Sequence, residues 1–432
     1  MSGQPPRFEN LDDAIAWGLE RTRPSPDFSR QLVSYSHYLC ALTKEFAENA
    51  DFPIRDVILA GSVSRQTFLP WSVDIDLFAR LDVTSKAELA NFAFSVLPKV
   101  AEREKTEIEF RFAENPYGHF STKVMEREVG VDIVATAHAS QENLRSVLKI
   151  SGMARTPFHN DFLDLHIKGL KDQVRLLKWW FVRKKVYGQF GFTGFLTEYL
   201  TGYFKGFSNV LKAADEITRS RIDFHQRHTL ELEKSFPGDK VIIVDPVDEK
   251  RNAAAGIHGI VGYFKLQRFV RESLRSITDP TTMFDEIRPT NSYQAIRASF
   301  NPPPHSPDEE GSRYARVASL LQSALKEEGI EITDLILAEN PVRLFFEPDR
   351  SVLSMRTVKG PPKDLELAVS KFKEHHKHVF SKNGRLYAHK PPRFETFNDL
   401  VLNTLRNQPW IVSPTIEHQK GNPSSEKEAI QY

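Results

Sequence analysis

Gly61-Ser62, Asp74-Ile75-Asp76 and Asp132 are the residues of this chain whose types and spacing could do chemistry together. A strand points alternate side chains to one face. Asp74 and Asp76 would therefore project the same way, roughly 6–7 Å apart at Cα, while Val73, Ile75 and Leu77 turn into a core. Two carboxylates aimed at one side can hold two divalent cations roughly 3.5–4 Å apart, an arrangement that activates an attacking hydroxyl and stabilises a leaving pyrophosphate. Asp132, flanked by Val131 and Ile133 in an apolar stretch, is an isolated acid that needs a partner. A DxD in a strand is by itself more often a solvated edge. Here Gly61-Ser62 lies about a dozen residues upstream, where free backbone N–H groups and a small hydroxyl can approach phosphate oxygens. With a third acid downstream, the catalytic reading outweighs the solvated edge. Ligands that are all oxygen favour Mg²⁺ over zinc.

These residues need elements to hold them. The segments 57–63, 72–81, 106–114 and 130–137 are rich in β-branched residues with period-two alternation and read as strands, with a helix over 86–103 between them. Residues 8–50 read as two helices separated by Pro24-Ser25-Pro26. From about Asp161 the pattern turns helical and aromatic, is interrupted by a short strand over 241–245, and resumes to about Ser276. The Pro-containing stretch 301–307 reads as a boundary. Beyond it come a helix over 313–328, strands near 335–338, 342–347 and 352–358, and a helix from Leu365. Residues after Trp410 turn polar and read as a loose tail. This gives an α+β protein divided as 1–145, 146–276, 277–412 and a tail 413–432.

Composition narrows the function classes. A length of 432 residues allows two to four domains, and no apolar run approaches the roughly 18 residues that span a bilayer. The N-terminus lacks the pattern of a secretory signal, so a cytoplasmic protein is expected, with no membrane partner. The single cysteine, Cys40, excludes an intramolecular disulfide and a multi-cysteine zinc site. The net charge of +1 conceals an asymmetry: −6 over 1–145, +8 over 146–275 and −1 over 276–432. A basic middle beside an acidic first third suits a polyphosphate or RNA-backbone site, although an uneven solvated surface gives the same count.

The spacing of Gly61-Ser62, Asp74-Ile75-Asp76 and Asp132 resembles the polymerase-β-type nucleotidyltransferase superfamily. Later segments are similar to the archaeal, class I CCA-adding enzymes: ARTPFH (154–159), IKGLKDQVRLLKWW (167–180), VYG (186–188), GFTGFLTEYL (191–200), VDPVDEKRNAAA (244–255), GPP (360–362) and NGRLY (383–387). The first acid, often Glu in that family, is Asp74 here. The resemblance implies a nucleotidyltransferase head, a helical neck and C-terminal body and tail modules. It implies Asp74, Asp76 and Asp132 as catalytic ligands of two Mg²⁺ ions, Ser62 and Arg65 as triphosphate contacts, and His159, Lys178 and Tyr187 around the sugar and phosphates. The implied reaction adds C, C and A to the 3′ end of tRNA from CTP and ATP without a template, with the C-terminal modules holding the acceptor and TΨC arms. A homodimer is compatible with it.

The residues leave alternatives open. Lys178 and Tyr187 could be snorkelling or core residues on an aromatic helical face, and His159 could cap a helix. Arg251, read as opening the helix after the 241–245 strand, offers a planar donor fork suited to the base of the incoming nucleotide; it could equally pair with Asp248 or Glu249. A poly(A) polymerase or oligonucleotide signal synthase would share the three acids, and an inactive RNA-binding homologue would have lost one or more of them.

Overall fold

The computed structural model describes residues 6–418, apart from Ala113, Ser220, His228, Asn340, Pro341, Val352 and Ser354. The described residues divide into two compact units, one up to His258 together with Lys265–Ile287, the other Gly259–Phe264 together with the residues from Arg288 onward.

The first unit is built on five strands, β1 (Ile54–Ala60), β2 (Asp74–Leu81), β3 (Glu109–Phe112), β4 (Pro116–Val124) and β5 (Arg127–Ala137), in the order β1-β2-β5-β4-β3. Only the β2–β5 pair is parallel. The helix Lys86–Arg103 has the expected bounds because Ser85 and Glu88 cap its start reciprocally: Ser85 Oγ accepts from Glu88 N and donates to a Glu88 carboxylate oxygen, which also accepts from Thr84 N. The helices Pro26–Glu48 and Lys86–Arg103 cover the apolar side of the sheet, where Ile75, Leu77, Val131 and Ile133 are buried. β4 escaped the sequence reading. It opens on Pro116-Tyr117-Gly118, which resembles a turn, and it joins β5 through Met125 (φ 49°) and Glu126 (φ 62°). Two left-handed residues make a tight hairpin without the Gly or Asn that usually marks one.

The helices Thr156–His166, Lys171–Arg183, Gly194–Phe204 and Gly259–Thr278 follow in the sequence. Leu176, Trp180, Phe181, Phe192, Tyr199 and Phe269 form a second core within the first unit. The interrupting strand is shorter than expected, β7 (Ile242–Ile243) pairing in parallel with β6 (Arg221–Ile222).

The second unit has two sheets. β8 (Gln294–Phe300), β9 (Ile332–Glu339), β10 (Val342–Pro348) and β14 (Ile411–His418) form one, in the order β14-β8-β10-β9. The helices Pro307–Glu327 and Phe397–Arg406 pack on it. β11 (Arg356–Pro362), β12 (His378–Lys382) and β13 (Arg385–Lys390) form the other, in the order β11-β13-β12, with the helix Glu366–His375 against β11. β14 corrects the reading of a loose tail after Trp410. Ile411, Val412, Thr415 and Ile416 are β-branched and pair with β8, and Pro414 is accommodated where the register shifts between Val412 and Thr415. The rest of the expected tail, from residue 419, lies outside the described residues.

Candidate active site

The three acids meet because of strand register. Asp76 sits opposite Ala60 on β1 and opposite Asp132 on β5, while Asp132 faces His119 on β4. One row across the sheet therefore carries Ala60, Asp76, Asp132 and His119, with neighbouring strands about 4.8 Å apart. Asp74 lies one pleat along, opposite Gly130. Two glycines leave room for the carboxylates. A Cβ at Gly61, whose φ is +65°, would stand 1.9 Å from Asp76 Oδ2, and one at Gly130 would stand 2.2 Å from Asp74 Oδ1. Side chains at these two positions would fill the space the acids use.

The electrostatics suit a cation site. The Asp76 carboxyl is pushed up to about 7, first by burial, then by the charges of Asp132 and Asp74, with Lys178 and Arg65 compensating in part. Asp74 is raised by desolvation and by Asp132. Lys178 responds in the opposite sense: burial pulls its ammonium down, but Tyr187, Glu198 and Asp74 outweigh burial and hold it above its ordinary value. Its Nζ lies 5.7 Å from the centroid of the Tyr187 ring. Among the described residues no three His, Cys, Asp or Glu side chains converge into a closed metal cage, and Asp132 Oδ1 is instead hydrogen-bonded to His119 Nδ1 at 2.6 Å. Like charges drive such carboxylates apart, and that mutual charge is what a divalent cation between them would relieve. A donor set of hard oxygens on rigid strands fits a divalent metal.

Ser62 is half-buried in the short helix Gly61–Arg65, and its carbonyl accepts from Thr67 N at 2.8 Å. Arg65, expected as a triphosphate contact, has protein partners of its own. It is buried, donates through Nε to Glu198 Oε2 at 2.8 Å and through Nη1 to Asn160 Oδ1, and Glu198 also accepts from Thr67. Only Nη2 is left without a bond to a described residue.

His159 and Arg251 belong to a second cluster, centred on the fully buried Asp245. His159 Nε2 lies 2.8 Å from Asp245 Oδ1, and Arg251 Nη1 donates to Oδ2 at 2.6 Å. The backbone N–H groups of Val247 and Asp248 donate to Oδ1 at 2.9 and 3.1 Å. Burial alone would raise the Asp245 carboxyl, but His159, the Val247 N–H and Arg251 together hold it well below the usual carboxylate range. Two expectations are corrected here. Arg251 pairs with Asp245 rather than with Asp248 or Glu249, and Arg251-Asn252 does not open a helix, the next one starting at Gly259. Asn252 explains the difference. Its Oδ1 accepts from Ile243 N and Ala254 N, and its Nδ2 donates to Asp239 and to Val241 O, so it locks a loop instead. His159 lies inside the helix Thr156–His166, next to the Phe195 ring at 4.6 Å, and caps nothing.

His119, Glu198 and Asp245 are the site residues that sequence reasoning missed. The argument that singled out Asp132, an acid alone in an apolar segment, applies equally to Glu198 within GFLTEYLTGYF. His119 carried no such signal while β4 went unrecognised.

Known proteins resemble the chain as follows. A family model described as "tRNA nucleotidyltransferase, second domain" matches residues 172–285. A "CCA-adding enzyme" of Methanosarcina barkeri is 33% identical over 245 residues, which are 55% of this chain and 51% of that protein. One of Pyrobaculum neutrophilum is 30% identical over 335 residues, 75% of each chain. One of Methanococcus maripaludis is 26% identical over 431 residues, 92% of this chain and 93% of the other. The match thus spans about half the length of the Methanosarcina relative and most of the length of the other two.

Proposed function

The chain belongs to the family of the CCA-adding enzymes, and from that premise we propose that it adds C, C and A to the 3′ end of tRNA, using CTP and ATP, without a nucleic-acid template and with release of pyrophosphate. The observation that carries nucleotidyl transfer is the set of carboxylates on β2 and β5, kept clear by Gly61 and Gly130 and faced by the charge of Lys178; the likeness to relatives named CCA-adding enzymes supports CCA as the product. Asp74, Asp76 and Asp132 would hold two Mg²⁺ ions, which supply Lewis acidity and charge neutralisation at the transferring phosphoryl group. His119 holds Asp132 in place through their hydrogen bond. Lys178 contributes positive charge for the triphosphate, Ser62 and the Nη2 group of Arg65 contribute donors, and Tyr187 sets the position of Lys178. Arg251 is the base reader. Asp245 takes one of its N–H groups and anchors that end of the guanidinium, and no described residue bonds its Nε or Nη2. His159 is oriented by the same carboxylate and would contact the sugar.

In this reading residues 1–145 are the head, 146–276 the neck, and 277–412 the body and tail that hold the acceptor and TΨC arms. Among the described residues no helix is long and apolar enough to cross a membrane, and a cytoplasmic tRNA-processing role follows from the proposed substrate; a homodimer remains compatible with it. The test is incubation with Mg²⁺, labelled CTP or ATP, and tRNA ending at the discriminator base, at C or at CC. Addition of C to the first two and of A to the third is expected. Long A tails on any RNA would identify a poly(A) polymerase instead. Loss of all incorporation in Asp76→Asn, with tRNA still bound, is required by the ligand assignment.

A further inference from the structure

The β11-β13-β12 sheet has two different faces. On one side Leu386 and Ala388 are buried, and Phe372 of the helix Glu366–His375 lies so close to Gly360 that a Cβ there would stand 2.7 Å from its ring. Register assigns the other side. Lys359 on β11, Tyr387 on β13 and Phe380 on β12 form one row, Thr357, His389 and His378 the next, and Arg385 and Lys382 flank them. Phe380, Tyr387 and His389 form a stack in which the Phe380 ring lies 5.7 Å from Tyr387 at 22° and 4.7 Å from His389 at 27°. Phe380 is 36% exposed, and Thr357, Lys359, His378, Lys382 and His389 are also exposed. Among the described strand residues of this face there is no carboxylate. None of Lys359, His378, Lys382, Arg385 or His389 forms an ion pair among the described residues, and Arg385 reaches only the Gly360 carbonyl, at 2.7 Å.

We infer that this face is a stacking platform for unpaired bases of RNA. The inference rests on the reading of tRNA as substrate and departs from it in mode, because recognition of a duplex through backbone shape uses no aromatic surface. The exposed Phe380 and His389 rings beside the half-buried Tyr387 leave apolar area open unless a flat π-system covers it, and every nucleobase has such a face. Lys359, Lys382 and Arg385, with no acid among the described strand residues beside them, complement the phosphates on either side of a splayed base. Paired bases inside a duplex offer no open face, so the occupant is a loop or a single-stranded segment.

The experiment uses the full chain and two fluorescent RNAs, a stem-loop with an unpaired loop and the blunt duplex of its stem. The double variant Phe380→Ala, Tyr387→Ala should raise the Kd for the stem-loop roughly ten- to a hundredfold, and change duplex binding by less than about twofold, since the cations remain. The ring-preserving double variant Phe380→Tyr, Tyr387→Phe should bind like the parent. Phe380→Ser alone, at the exposed position, repeats the test without disturbing the half-buried Tyr387. Equal losses on both RNAs, no loss on either, or a parent protein that prefers the duplex would each overturn the platform. A change in molar mass by light scattering would give the face to a second copy of the chain and overturn it likewise. A parent protein that binds neither RNA would instead defeat the reading of RNA as substrate.

Discussion

Replacing Gly61 by Ala separates the two things that glycine does. Its φ of +65° places it in the left-handed region, where a Cβ costs about 1–2 kcal/mol against the following carbonyl. Its missing Cβ also leaves room for Asp76: the added carbon would stand 1.9 Å from Oδ2, 2.8 Å from Cγ and 3.1 Å from Cβ of that residue. Rotating the carboxylate end alone does not relieve all three contacts, so Asp76 must shift as a whole side chain. With Asp76 as the metal ligand proposed above, a displacement on the order of 1 Å costs about a hundredfold in rate. Gly61→Ala should therefore lose only about 1–2 kcal/mol of stability, from the backbone strain, yet lose about two orders of magnitude in kcat/KM for CTP and for ATP. Gly169 is the matched control, with φ +78° and nothing within 4 Å of its would-be Cβ. Gly169→Ala should show the same loss in urea denaturation and keep its activity. Gly130→Ala, where φ is not positive and the obstructed atom is Asp74 Oδ1, should lose activity with a smaller strain cost. If Gly61→Ala turned over nucleotides within a few-fold of the parent, or Gly169→Ala were equally inactive, the claim that Gly61 makes space for Asp76 would fail.

Arg251→Ala should lower kcat/KM for CTP and ATP relative to UTP by roughly ten- to a hundredfold, the value of one base-directed hydrogen bond from a charged donor; Arg251→Lys, which lacks the planar fork, should not restore it. Unchanged nucleotide ratios with a lowered melting temperature would leave Arg251 only its pairing with Asp245. Glu198→Gln strips the buried Arg65 of its counter-charge and should cost about 3–5 kcal/mol in urea denaturation, most of it recovered in the double variant with Arg65→Met; equal losses in single and double variants would mean that the pair is not coupled. The Asp245 carboxyl is held below its unfolded value, so the stability it contributes is complete above pH about 4 and drains away as pH falls further. Denaturation across acidic pH should show Asp245→Asn less stable than the parent at neutral pH and flatter in acid, and parallel curves would contradict the shift.

What the sequence made legible is what depends on neighbours along the chain. Strand alternation placed Asp74 and Asp76 together, against Ile75 and Leu77, and the structure keeps that split with both apolar residues buried. The helix Lys86–Arg103 was readable because its capping residues are three apart. The unreadable part depends on register between strands. His119 meets Asp132 only because β4 folds back on β5 through Met125-Glu126, two residues whose identities do not announce left-handed backbone. The loop after Asp245 is illegible for a related reason. Arg251-Asn252 follows a strand as a helix start would, but Asn252 commits both ends of its amide to backbone and to Asp239, which leaves no side-chain oxygen to cap a helix. In each case a polar side chain that local rules send to solvent or to a cap is claimed by a partner from another element. Glu198 shows how such residues can be found. A carboxylate surrounded by Phe195, Leu196, Tyr199 and Leu200 cannot be buried unpaired. Its presence therefore requires a cation from elsewhere in the fold, and Arg65, following Gly61-Ser62 by a few residues, is that cation. The buried pair thereby ties the turn beside Asp76 to the helix Gly194–Phe204, and an acid stranded in an apolar helix is evidence about the geometry of an acid-bearing strand far away in sequence.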